Sequence, residues 1–233
     1  ILIETGIGEK WSEKEINRYG IFRQKPFAQS LKEITSYTPD EITIVVNTHL
    51  HFDHAGGNTV RSEEWGVGSG GIVPQFANAR YFVSKSEFEQ AENPHERHRA
   101  SYLRENWACL IESGQLELKP DNYEVVEGLT METMRGHSET MQCVCLNRGG
   151  KTLYSFADLI PTRRHLPLAW VMGYDLFPVE TLEFKKRILP QAAQENWLCF
   201  FYHDFDAPLC RLREVEGKLK AVKIETEELC QQF

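Results

Sequence analysis

The sequence predicts an α/β fold with its strands in two sheets and its helices outside. Three observations carry that expectation. Short apolar and β-branched runs alternate with helical stretches, they do so in two similar halves, and no linker, repeat or low-complexity tract divides the 233 residues. One domain spanning residues 1–233 is therefore expected. With 41% hydrophobic and 26% charged residues the chain has a core to bury, which excludes a disordered or disulfide-scaffold protein. The net charge of −8 disfavours nucleic acid as a partner, because backbone binding needs a Lys/Arg surface. No apolar run approaches the ~18 residues of a membrane span, so no membrane partner is expected.

The elements follow in order. Ile1–Ile3 reads as a buried strand ended by Gly6 and Gly8. Its start without Met predicts that something precedes it. Ser12 and Glu15 have capping-box spacing for a helix. Pro39-Asp40 opens 41–47, whose Ile, Thr and Val residues predict an interior strand. Glycines at 66–71 mark a mobile loop, and 79–84 is a short strand. Residues 85–113 read as two helices broken at Pro94 and closed by Gly114. Short strands follow at 115–118, 125–126, 130–134 and 141–146, and Asn147-Arg-Gly-Gly150 turns the last into 152–156. Residues 161–178 suit a loop over a cleft. Residues 181–196 form a helix that Pro190 should kink or divide, 197–202 is a final buried strand, and the Lys/Glu-rich tail is a solvated hairpin or helix.

Residues 49–54 read His-Leu-His-Phe-Asp-His. Three imidazoles and a carboxylate within six positions are a dense set of ligands for zinc and related ions. They leave the end of a buried strand, where α/β folds bind substrates. In extended chain His49 and His51 project from one side, whereas Asp53 and His54 at a helix start point elsewhere, so the spacing suits two adjacent metals better than one.

Thr48-His-Leu-His-Phe-Asp-His-Ala-Gly-Gly-Asn58 resembles the signature of the metallo-β-lactamase superfamily, most closely its lactonase and phosphotriesterase-like branches. Ile3-Glu-Thr-Gly6 resembles its first motif, Gly136-His137-Ser138 its Gly-His-Thr/Ser motif, Ala157-Asp158 the site of its bridging aspartate, and His203 its final histidine. The resemblance implies a four-layer αβ/βα sandwich, two mixed sheets inside and helices outside. It also implies His49, His51 and His137 on one metal, Asp53, His54 and His203 on a second, and Asp158 bridging them. Zinc is the expected ion, with manganese, iron or cobalt as alternatives. Asp53 and Asp158 are the expected catalytic carboxylates, beside a hydroxide shared by the metals. The sequence departs from the family at Glu4, where Asp is usual; at Glu139-Thr-Met141, where Gly and His are usual; and at Leu159-Ile-Pro161, where many lactonases place a Tyr.

The activity expected is hydrolysis of a small ester or lactone. The rivals are phosphotriester or phosphodiester hydrolysis, thioester hydrolysis of the hydroxyacylglutathione type, iron-dependent sulfur oxidation, and a metal-stabilised scaffold or sensor. His165, Tyr102 and Trp170 are the candidate substrate contacts, with His95 and Arg97 as further cleft candidates. Trp170, Met172, Tyr174 and Phe177 read first as core packing and alternatively as an apolar substrate wall. His95 and His98 suit a solvated helix start. Six cysteines without a CxxC pair suggest reduced, mostly buried thiols and a cytoplasmic location, with Cys143 and Cys145 buried on one strand face. A homodimer is left open.

Overall fold

A computed structural model describes residues 1–62 and 71–224. The glycine-rich stretch lies outside the described residues apart from Gly71, as does the tail beyond residue 224. The chain divides into two compact units, Ile1–Lys119 and Pro120–Phe233. Among the described residues no helix is long and apolar enough to cross a membrane.

The first unit holds β1 (Leu2–Ile3), α1 (Glu13–Tyr19), α2 (Phe27–Thr35), β2 (Ile44–Val46), α3 (Phe52–Ala55), β3 (Thr59–Arg61), β4 (Ile72–Pro74), β5 (Arg80–Ser84), α4 (Lys85–Glu92), α5 (Ala108–Glu112) and β6 (Leu116–Lys119). Its main sheet runs β1-β2-β5-β6 and is parallel throughout. Parallel neighbours need long crossovers, and the intervening segments supply them. Val45, Val46, Tyr81, Phe82 and Val83 are buried in near-continuous runs, as parallel strands require. The capping box forms as expected, with Ser12 Oγ accepting from Glu15 N–H and Glu15 accepting from Ser12 N–H. Helix α1 buries no residue; Tyr19 instead joins Trp11 and Phe52 in an aromatic cluster with ring centroids 5.3–5.5 Å apart. Past Pro94 the chain makes two 3-10 turns before α5, and Gly114 follows α5 at φ +71°.

The second unit holds β7 (Asn122–Val126), β8 (Leu129–Thr133), β9 (Gln142–Arg148), β10 (Lys151–Ser155), α6 (Pro178–Gln194), β11 (Leu198–Phe200), β12 (Leu209–Val215) and β13 (Lys218–Lys223). Its seven-stranded sheet runs β13-β12-β11-β10-β9-β8-β7. Only the β10–β11 pair is parallel, and α6 is its crossover. Gly149 and Gly150, at φ +58° and +72°, make the two-residue turn that pairs Arg148 with Lys151.

Two expectations are corrected here. Of the kink or division expected at Pro190, the division does not occur, since α6 runs unbroken from Pro178 to Gln194. Thr181, Phe184, Lys185, Ile188, Leu189 and Ala192 form its buried face, and packing them outweighs the ~3 kcal/mol a mid-helix proline costs. The 170–177 segment is not core: Trp170 is 61% and Tyr174 63% exposed. The tail segment within the described residues is the β12–β13 hairpin. Cys143, Cys145, Cys199 and Cys210 are buried thiols in the second unit's core.

Candidate metal centre

In the first unit β2 ends at Val46, and the chain bends at Thr48 and is extended again at His51, φ −61° and ψ 150°, before α3 begins. Leu50 is fully buried, and its N–H donates to Glu87 Oε1 at 2.8 Å. That anchor sends His49 and His51 to the opposite side of the strand, their rings 4.5 Å apart. Asp53 and His54 then fall on the single turn of α3, with the His54 ring 4.0 Å from that of His49. Asp53 Oδ2 lies 3.8 Å from His54 Nε2.

The histidines are held by their Nδ1 atoms. His54 Nδ1 donates to Glu4 Oε2 at 2.7 Å, and the other oxygen of Glu4 accepts from Thr48 N–H. Glu4 reaches both from a left-handed backbone at φ +64°, a conformation that costs a non-glycine residue about 1–3 kcal/mol. His49 Nδ1 meets Thr48 Oγ1 at 2.9 Å. The glycines of the motif are steric requirements. A Cβ on Gly56 would stand 2.2 Å from Ile7 O, and one on Gly57 2.4 Å from Thr5 O, so only bare backbone lets the 5–8 loop pack there. The buried Lys10 donates from Nζ to Gly56 O and to Thr59 O, and burial lowers its pKa to about 8.

In the second unit Ala157, left-handed at φ +44°, turns the chain out of β10 and presents Asp158. The two oxygens of Asp158 face different imidazoles: Oδ2 lies 3.5 Å from His137 Nε2, and Oδ1 lies 3.1 Å from His203 Nε2. His203 is fixed by its N–H, which donates to Pro161 O at 2.9 Å. His137 Nδ1 donates to Asp175 Oδ1 at 3.1 Å. Gly136 lies against Leu159 and Thr181, where a Cβ would meet the Leu159 side chain at 2.2 Å. The Glu139-Thr-Met141 departure keeps a tight turn, since Ser138 Oγ accepts from Met141 N–H at 3.0 Å, while Glu139 stands outside near Arg135.

The structure thus brings His49, His51, Asp53 and His54 together in one unit and His137, Asp158 and His203 together in the other. Imidazole nitrogens with carboxylate oxygens are a donor set for borderline divalent ions. His49, His54 and His137 each make their hydrogen-bond contact through Nδ1, the pattern in which metal-binding histidines are commonly oriented. The chain carries a His/Asp cluster fit to bind divalent metal.

The candidate substrate contacts stand differently. Tyr102 packs its ring 4.7 Å from that of His51, but it is buried and its hydroxyl donates to Glu87 Oε1 at 3.1 Å. His98, expected at a solvated helix start, is buried beside it, with its ring 5.2 Å from that of Tyr102. His95 remains exposed. His165 is half-buried, with Nδ1 2.8 Å from Thr162 Oγ1, and burial followed by the Lys185 charge lowers its pKa. Sequence reasoning missed Asp175, Glu87 and Lys10. Glu87 bonds Leu50 37 positions away, Asp175 bonds His137 38 away and Lys10 bonds Gly56 46 away, and no local motif marks any of them.

The sequence matches the family profile described as the metallo-beta-lactamase superfamily over residues 1–203. It is 26% identical to the N-acyl homoserine lactonase AiiA of Bacillus thuringiensis subsp. kurstaki, over 88% of this chain and 77% of that protein. Its fold is similar to a probable metal-dependent hydrolase from Staphylococcus aureus, with TM-score 0.82, 27% identity, and 96% of this chain and 77% of that chain covered. It is also similar in fold to AidC, a dizinc quorum-quenching lactonase in complex with a product, with TM-score 0.73, 18% identity, and 96% and 74% covered.

Proposed function

Because the chain belongs to the metallo-β-lactamase superfamily, we propose that it hydrolyses a small lactone or ester at a dinuclear metal centre. The chain is a metal-dependent hydrolase acting on ester bonds. Within that class the lactone reading draws on the 26% identity to an N-acyl homoserine lactonase. The proposed ligands are His49, His51 and His137 for one ion and Asp53, His54 and His203 for the other, with Asp158 shared. The observation that carries this reading is Asp158, whose two oxygens face two separate imidazoles as a carboxylate shared by two ions must. Zinc suits the donors best.

When bound, two such ions bring the pKa of water toward neutrality and polarise a carbonyl oxygen. The residues of the chain prepare the ground for that chemistry. Glu4 engages Nδ1 of His54, and Thr48 Oγ1 meets Nδ1 of His49. Asp53, one-third exposed, would accept through a carboxylate oxygen the proton of the attacking water and return it to the leaving alkoxide. Trp170 offers an exposed apolar face to the substrate, and His165 a neutral imidazole. Tyr102 contributes by packing against His51, since Glu87 engages its hydroxyl.

The test is elemental mass spectrometry on protein purified without chelators, followed by a panel of lactones, esters, phosphotriesters and thioesters. About two equivalents of zinc, with lactone or ester turnover that a chelator removes and zinc restores, is the expected result. Two bound metals with turnover of phosphotriesters or thioesters alone would overturn the substrate class. One iron per chain, or no metal uptake, would overturn the ligand set.

A further inference from the structure

Residues 174–177 are stitched onto Gly136-His137 by two backbone bonds. Leu176 N–H donates to His137 O at 3.1 Å, and Phe177 N–H donates to Gly136 O at 2.8 Å. The stitching delivers Asp175, whose side chain is 1% exposed, to the back of the His137 ring. Asp175 Oδ1 accepts from His137 Nδ1, and Oδ2 accepts from the Thr181 hydroxyl at 3.1 Å. Thr181 is fully buried in the first turn of α6. One turn further along, the buried Lys185 interacts electrostatically with Asp175 and donates from Nζ to Pro167 O, Leu168 O and Trp170 O. The half-buried His165 feels the charges of both Asp175 and Lys185. A carboxylate this deeply buried needs such hydrogen-bond partners to satisfy its oxygens.

We propose that Asp175 is the positioning residue of His137: it fixes the imidazole as the Nδ1–H tautomer and aims Nε2 for metal, with Thr181 holding the carboxylate in place. This inference rests on the reading of His137 as a ligand. The geometry specifies which atoms matter. An acceptor at Nδ1 forces the proton there, and the negative charge strengthens Nε2 as a donor. Asn at 175 can still accept from Nδ1 and donate to Thr181 Oγ1, so it keeps the tautomer and loses only the charge. Ala removes both.

The experiment uses the full chain and its Asp175→Ala, Asp175→Asn, Thr181→Val and Thr181→Ser variants, with folding checked by near-UV circular dichroism. Histidine tautomers are read by ¹⁵N NMR on metal-free protein, with the His137 signal assigned by its loss in His137→Gln. Zinc affinity is read by competition with a chromophoric chelator. The wild type is expected to show the Nδ1–H tautomer at His137. Asp175→Ala should lose that single tautomer and bind zinc about 10–100-fold more weakly. Asp175→Asn should keep the tautomer but weaken zinc binding by a smaller factor. Thr181→Val should fall between Asp175→Asn and wild type, and Thr181→Ser should match wild type. An unchanged His137 tautomer in Asp175→Ala overturns the proposal. So does unchanged zinc affinity in the folded Asp175→Ala, or in Asp175→Asn should Asp175→Ala fail to fold. If the wild type binds no zinc, the ligand reading fails, and the metal-free spectra still judge Asp175.

Discussion

Glu4 shows how one side chain can bind a histidine and its supporting loop together. A carboxylate one methylene shorter would have to sit closer to His54, whereas Glu spans the distance from its left-handed backbone and also takes Thr48 N–H. Glu4→Gln keeps the size but puts an amide opposite one of the two donors. It should weaken zinc binding about 10–100-fold in the chelator competition with little change in fold. Lys10 carries a pH signature. Its pKa is about 8 in the folded chain and 10.5 when exposed, so between those values the unfolded chain holds more protons and rising pH favours the folded one. The stability gap between wild type and Lys10→Met in urea should therefore widen in favour of wild type from pH 8 to pH 10. A gap that narrows would mean that the Lys10 ammonium is stabilised where it sits.

At the scale of elements, the contact between the 5–8 loop and the Gly56-Gly57 turn admits no Cβ on either side, since one on Gly8 would also stand 2.2 Å from Gly56 O. Gly56→Ala must push backbone against backbone, which costs about 1–3 kcal/mol and should lower Tm by roughly 2–12 °C. The same shift displaces α3, so metal retention should fall with Tm. The β9–β10 and β11–β12 pairs bury Cys143, Cys199 and Cys210, and burial raises all three thiols, that of Cys199 to about 12. At pH 8 these cysteines should resist Ellman's reagent in the native protein and react within minutes in guanidinium, as peptide mapping after alkylation would show. Rapid native labelling of Cys199 would contradict its place in the core.

For the whole molecule, zinc that binds the folded chain and not the unfolded one should raise stability by about 2.7 kcal/mol at free zinc 100-fold above Kd. Thermal scans with and without chelator should differ by several degrees, and the difference should shrink in Asp175→Ala. No difference between the two scans would argue that the histidine cluster is not a folded-state metal site. Both units keep a buried core of their own.

The sequence by itself determined the residue types of the proposed ligands, their order along the chain and most of the strands, because these follow from residue chemistry and from short-range periodicity. The capping box at Ser12, the Gly149-Gly150 turn and the His49–His54 cluster are local patterns, complete within a few residues, and all three were legible. Tertiary structure alone decided what holds the ligands. Glu4 lies 50 residues from His54, and Asp175 lies 38 residues from His137. No periodicity relates such pairs, and a buried carboxylate finds its partner only when the chain has folded. The same reason explains Pro190, where the packing of α6 outweighs a local preference, and the exposed Trp170 and Tyr174, whose apolar character suggested a core that the fold does not give them.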